Sequence, residues 1–217
     1  MELTVCLGLM TIVLGLSAIV LDSGSDTSSF GYARGSLASG CQRALTALEA
    51  DVRETAASTV ETCTFTEAGF AGAQSAVALG SPRDSQGQFH LDSSYGPRWQ
   101  AVVVYCPYVL ASGVRELRRY VVFDSECRFP VRFDGEPPVT AGQIELCDSG
   151  APPRKFTVDR ANGNLAAEPS YQVFCPGLTR FAVETGSPLR ISLAAQCVAR
   201  KGAVLEACYE RSVGPRN

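Results

Sequence analysis

A single acid, Glu2, stands directly ahead of nineteen residues without a charge, Leu3–Leu21. As an α-helix that run measures about 28 Å, close to the roughly 30 Å hydrocarbon thickness of a bilayer. No Lys or Arg precedes Arg34, so the basic start of a secretory signal peptide is missing. The run is also longer than the roughly 7–15-residue apolar core of such a peptide. The segment therefore predicts a membrane-spanning helix over residues 1–21. A carboxylate at the mouth of that helix is costly to bury unless it meets a partner. The plainer alternative is an ordinary N-terminal anchor in which Glu2 is incidental.

Enough chain remains after the run for one ordinary domain or two small ones. The net charge of −3 gives no electrostatic case for nucleic-acid binding. The densest basic cluster, Arg115-Glu116-Leu117-Arg118-Arg119, is interrupted by an acid and reads as a solvated strand edge or turn. Residues 22–29, DSGSDTSS, are polar and rich in Gly and Ser, which favour a kink or break. A helix is predicted over roughly Ser36–Thr59. There Leu37, Cys41, Ala44, Leu45, Leu48, Val52 and Ala56 recur at three- and four-residue steps and form one apolar face. Residues 22–60 are thus expected to form a linker and an amphipathic helix.

Beyond about Cys63 the pattern changes to strands, separated by Gly, Pro, Asn and Asp turns. The clearest are Trp99–Tyr105, Leu117–Phe123, Tyr171–Phe174, Arg180–Glu184 and Leu189–Leu193; Gln74–Leu79 and Lys155–Val158 are weaker. Thr185-Gly186-Ser187-Pro188 reads as the turn of a hairpin. The expected fold class is α+β, a long N-terminal helix packed on a mostly antiparallel β-sheet domain over residues 61–217.

Nine cysteines carry a further signal. Cys6 lies within the apolar run. The other eight are Cys41, Cys63, Cys106, Cys127, Cys147, Cys175, Cys197 and Cys208, an even number with no CxxC spacing. That excludes the usual zinc-knuckle and thioredoxin-like signatures. Wide spacing after a membrane anchor suggests disulfides in an oxidising, extracytoplasmic space, although pairing is unreadable from sequence; buried free thiols are the alternative.

Catalytic signals are sparse. His90 is the only histidine, so any Ser/His/Asp or Cys/His arrangement would have to use it, and no GxSxG elbow is present. It reads as a surface-loop histidine. The stretch Asp159–Asn164 offers oxygen ligands for calcium but lacks EF-hand spacing; Asn162-Gly163 fits a type I′ hairpin turn better. The acid pairs Asp124 with Glu126 and Asp134 with Glu136 read as solvated turns. No cofactor is implied.

These pieces together resemble the prepilin-like family, the type IV pilins and type II secretion pseudopilins. Met1-Glu2-Leu3-Thr4-Val5 is similar to the family's N-terminal motif, with Glu2 in the place of its acidic residue. Gln42–Glu54, which ends in Asp51-Val52-Arg53-Glu54, resembles the Leu-rich, then Asp-x-Arg helix of minor pseudopilins, the J-type subunit in particular. Val102–Tyr105 and Glu116–Tyr120 resemble the paired strands that follow there. The resemblance implies a basic leader ending in Gly ahead of Met1. A start at Met1 itself would remove normal prepilin processing.

The resemblance further implies an assembly subunit with no catalysis of its own. Its single span would sit in the inner membrane with the C-terminal domain periplasmic, and its partners would be other pilin-like subunits and secretion machinery. Glu2 would pair with the N-terminal amine of a neighbouring subunit, which offsets its burial and fixes register. Thr4 with Gly8, and Thr11 with Gly15, are spaced for close helix approach. The alternative from another class is a membrane-anchored, disulfide-stapled binding or adhesion domain; an extracytoplasmic hydrolase resting on His90 is a third.

Overall fold

The computed structural model describes residues 2–66, 70, 72–110, 112–123, 143–146, 154–159, 164–165, 171–199 and 202–215; for residues 2–9, 63, 65, 122–123 and the strands between 143 and 165 it describes backbone only. Helix α1 runs unbroken over Glu2–Glu54, 53 residues, or about 80 Å. The linker expected over the Gly- and Ser-rich stretch is absent. An isolated glycine costs a helix about 1 kcal/mol, which weakens it without ending it, and a sharp kink requires Pro or an inserted group. The hydroxyls there turn back onto their own helix: Thr27 Oγ1 donates to the Ser23 carbonyl at 2.9 Å and Ser29 Oγ to the Asp26 carbonyl at 2.8 Å. Side chains that compete with a helix in isolation thus leave its ladder intact.

Among the described residues no helix is long and apolar enough to cross a membrane. The described side chains of the uncharged run, Met10–Leu21, span only about 18 Å before Asp22 and Asp26 follow. The rest of the expected span, Leu3–Leu9, has its side chains outside the described residues.

The helix ends at Glu54, five residues before the predicted Thr59. Thr55 turns out of it, its hydroxyl donating to the Gly80 carbonyl, and Ala56 is extended with φ −86° and ψ 150°. A 3₁₀ turn, Ala57–Thr59, leads into the first strand.

Eleven described strands form three antiparallel sheets. They are β1 (Val60–Thr66), β2 (Ala73–Ser81), β3 (Ala101–Val109), β4 (Arg115–Phe123), β5 (Gln143–Leu146), β6 (Arg154–Asp159), β7 (Asn164–Leu165), β8 (Tyr171–Phe174), β9 (Leu178–Glu184), β10 (Leu189–Val198) and β11 (Val204–Val213). The first sheet has the order β1-β2-β3-β4-β8, the second β11-β10-β9 and the third β5-β6-β7. The β9–β10 hairpin turns through the expected Thr185–Pro188 segment, with Glu184 opposite Arg190. The sequence carries no clear signal for strand β11. That strand is a sheet edge whose residues are mostly exposed or half-buried, so it lacks a strong apolar run.

The two larger sheets and the inner half of α1 share one core. Leu37, Cys41, Ala44, Leu45, Leu48 and Val52 of the helix pack with Val77, Leu79, Val103, Tyr105, Leu117, Phe181, Ile191 and Leu193. In β10 the burial alternates, Leu189, Ile191, Leu193 and Ala195 facing inward, the period of a half-buried strand. In β3, Val102 and Val104 are buried as fully as Val103 and Tyr105, which is why that sequence reads as a continuous apolar run. A register shift between Ala194 and Ala195 sets Ala194 opposite Arg180 and Ala195 opposite Leu178. This bulge keeps both Leu178 and Phe181 inward although they are an odd number of residues apart.

The two sheets are also joined by side chains of β2. Gln74 Oε1 accepts from the Phe181 amide at 2.8 Å, and Ser75 Oγ accepts from the Val183 amide at 3.0 Å. Both residues are buried, and they take the amides along the free edge of β9, which would otherwise be costly orphans. Their polarity is what made β2 a weak strand in the sequence.

Candidate functional site

Two regions of α1 carry chemistry, its bare outer half and its junction with the sheets. On the outer half every described residue from Met10 to Leu21 is exposed. Met10, Ile12, Val13, Leu14, Leu16, Ile19, Val20 and Leu21 are large hydrophobics, from 59% to 73% exposed. They cover roughly 220° of the helix circumference, and the small residues Thr11, Gly15 and Ala18 fill the rest. An apolar stripe about 100° wide would suit one sheet face, whereas a band this wide requires cover from more than one side. Glu2 is the first residue of α1; its side chain, and those of Thr4, Cys6 and Gly8, lie outside the described residues. A Cβ added to Gly15 would meet nothing within 4 Å, and the same holds for Gly24, Gly31 and Gly35.

At the junction the helix is held by charge. Asp51 receives both arms of Arg119, Nε to Oδ2 at 2.8 Å and an η-nitrogen to Oδ1 at 3.0 Å, and the Tyr105 hydroxyl donates to Oδ2 at 2.5 Å. Burial, then the Asp51 charge, holds the Tyr105 hydroxyl far above its ordinary range. Burial works against the Arg119 charge, but the Asp51 carboxylate outweighs it and raises that group. Farther out, Glu54 takes two hydrogen bonds from Arg83, each 2.7 Å, and Glu49 accepts from Arg53 at 2.5 Å and from Arg211 at 3.2 Å. These outer pairs are largely exposed and contribute little.

The basic cluster 115–119 is neither a strand edge nor a turn. It forms β4, flanked by β3 and β8. Arg118, 4% exposed, donates to Glu116 at 2.6 Å, and its guanidinium sits 3.6 Å from the Tyr108 ring centroid and 4.5 Å from that of Tyr171. Stacking and pairing offset desolvation of the planar cation. Alternation along β4 then sends Arg119 to the helix side and Arg118 to the other face, a split that a linear charge count cannot reveal.

Cys41 of α1 and Cys175, in the turn between β8 and β9, bring their sulfurs to 3.1 Å. Both are buried. The hydrogen bond to Cys41, then burial, pushes the Cys175 thiol well above the usual range, and the same hydrogen bond pulls Cys41 down. Cys197 Sγ lies 3.7 Å from the Ala33 carbonyl, Cys106 Sγ lies 3.4 Å from that of Pro107, and Cys208 is exposed. Cys63 falls in β1 opposite Ala76 with its side chain undescribed; Cys127 and Cys147 lie outside the described residues, as do the acid pairs Asp124 with Glu126 and Asp134 with Glu136.

His90 is half-exposed, its Nε2 2.7 Å from Asp84 Oδ2. That hydrogen bond, then the Gln88 amide, holds the Asp84 carboxyl below its ordinary value. Among the described residues no group of three His, Cys, Asp or Glu side chains forms a metal cluster. Of the calcium candidate, residues 160–163 lie outside the described residues, while the flanking Asp159 and Asn164 pair as antiparallel neighbours.

Fold and site define an α+β protein with one long helix, half built into antiparallel sheets and half bare. No family model, curated protein or solved structure matches the chain significantly.

Proposed function

We propose that this chain is a pilin-like assembly subunit, a minor pseudopilin or minor pilin that joins its relatives at the tip of a secretion or pilus filament. The observation that carries the reading is the bare, uncharged stretch Met10–Leu21, whose large hydrophobics cover well over half of the helix circumference. Covering its eight large side chains would contribute on the order of 10 kcal/mol. A filament of packed helices supplies such cover on every side, and a lipid bilayer supplies it beforehand, when Leu3–Leu21 holds the subunit in the inner membrane. The rigid continuity of α1 then carries the β domain, on the extracytoplasmic side, at a fixed distance from the packed stretch. Glu2 pairs with a neighbouring subunit's amine and sets the register, and the protein acts by packing and display.

Glu2→Ala tests this in the native host. The variant is expected to reach the membrane fraction at wild-type level yet fall at least tenfold in sheared filaments. Undiminished incorporation would refute the assembly role and leave the anchored binding domain as the better reading.

A further inference from the structure

We propose that Cys41 and Cys175 form a disulfide that staples the assembly helix to the sheets. Their sulfurs lie 3.1 Å apart although the residues are 134 positions apart in the chain, and a small side-chain rotation closes that gap to the roughly 2.05 Å of a bond. The surroundings are built for close approach. Gly40, beside Cys41, packs on the same turn: a Cβ there would stand 3.5 Å from the Cys175 Cα, at van der Waals contact, so the helix lies directly on the turn. Cys175 itself holds a left-handed backbone, φ 50°, uncommon for a residue with a side chain.

That turn is pinned from two sides. The Gly177 amide donates to the Arg115 carbonyl at 2.7 Å, and its carbonyl accepts from the Gln196 amide at 2.8 Å. Cys175 is therefore presented to α1 by both sheets. Burial of both thiols keeps them from other chains.

The step is a thiol–disulfide exchange. One protein thiolate attacks a sulfur of an external disulfide and expels its first thiolate. The second protein thiolate attacks the protein sulfur of the resulting mixed disulfide and expels the other, and the oxidant leaves as two thiols. Two S–H bonds are lost and one S–S bond forms; both electrons end on the reduced oxidant. Because the pair is buried, oxidation accompanies folding, before α1 closes onto the turn. This inference stands apart from the assembly reading, since it needs an oxidising compartment but no filament.

The full chain, refolded in detergent with oxidised and reduced glutathione, is acid-quenched, alkylated in denaturant and digested with trypsin. The expected product is the peptide Gly35–Arg43 joined to Ala161–Arg180, lost in Cys175→Ser. In the wild type, reduction is expected to lower Tm by about 10 °C, the scale of a structural disulfide. Alkyl groups on both Cys41 and Cys175, or either one joined mainly to Cys197 or another cysteine, would overturn the proposal.

Discussion

Replacing Asp51 with Ala removes a carboxylate that ties the last turns of α1 to β3 and β4. Three hydrogen bonds go with it, two from Arg119 and one from Tyr105. Hydrogen bonds to charged groups contribute about 1.5–3 kcal/mol each, and breaking a fully buried ion pair costs about 3–5 kcal/mol. Water reaches this pair in part, the Arg119 and Asp51 side chains being 20% and 18% exposed, so the expected cost lies at the lower end, about 3 kcal/mol. At about 2–4 °C per kcal/mol for a domain of this size, Tm falls by roughly 6–12 °C. Asp51→Asn keeps an acceptor for Tyr105 and loses the charge, so roughly half that loss is expected. The assay is urea unfolding of Asp51→Ala, Arg119→Ala and the double variant. A cost below about 1 kcal/mol for Asp51→Ala, or additive single costs with no coupling, would refute the reasoning.

Other outcomes follow from the same geometry. Gly177→Ala places a Cβ 2.0 Å from the Gln196 carbonyl oxygen at φ +81°; the clash and the strained backbone together cost about 3 kcal/mol or more, and a thermal melt at wild-type stability would contradict this. Tyr120 is buried, and its hydroxyl faces the Arg118 guanidinium without a hydrogen bond of good geometry. Because Glu116 and two tyrosine rings also hold that cation, Tyr120→Phe costs at most about 1 kcal/mol at pH 7, as urea titration would show. Burial pushes that hydroxyl up to about 12. A folded value above the unfolded one of about 10 means that its contribution is complete below pH 10 and is lost as pH climbs from 10 to 12. Over that window the wild type is expected to lose about 3 kcal/mol more than Tyr120→Phe; parallel pH profiles of the two proteins would rule out this role.

Much of the fold was legible wherever burial is one-sided. The 3.6-residue spacing from Leu37 to Val52 marked the face that the sheets cover, and the β-branched runs in β3, β4, β9 and β10 marked their strands. The features that escaped notice depend on neighbours. Gln74 and Ser75 look like poor strand residues until the free amides of β9 are set beside them. Arg118 and Arg119 look like solvated charge until a pleated strand sends one between two tyrosines and the other onto Asp51. Of the candidate site, the apolar end was legible because its chemistry is local; Glu2 stood out as an acid heading an uncharged run, and its assembly role comes only from the resemblance.

By itself the amino-acid order determined that a long N-terminal helix leads into an antiparallel β domain, because periodicity and propensity act over a few residues. It also determined that eight widely spaced cysteines follow the helix start, but not which of them meet. Only the tertiary structure decided that α1 runs through its glycines without a break, that its outer half stands uncovered, and that Cys41 and Cys175 touch. The last of these rests on contacts between residues far apart in the chain, the first on the helix's own backbone ladder. Their energies exceed the small local preferences that a glycine, a serine or a lone charge expresses.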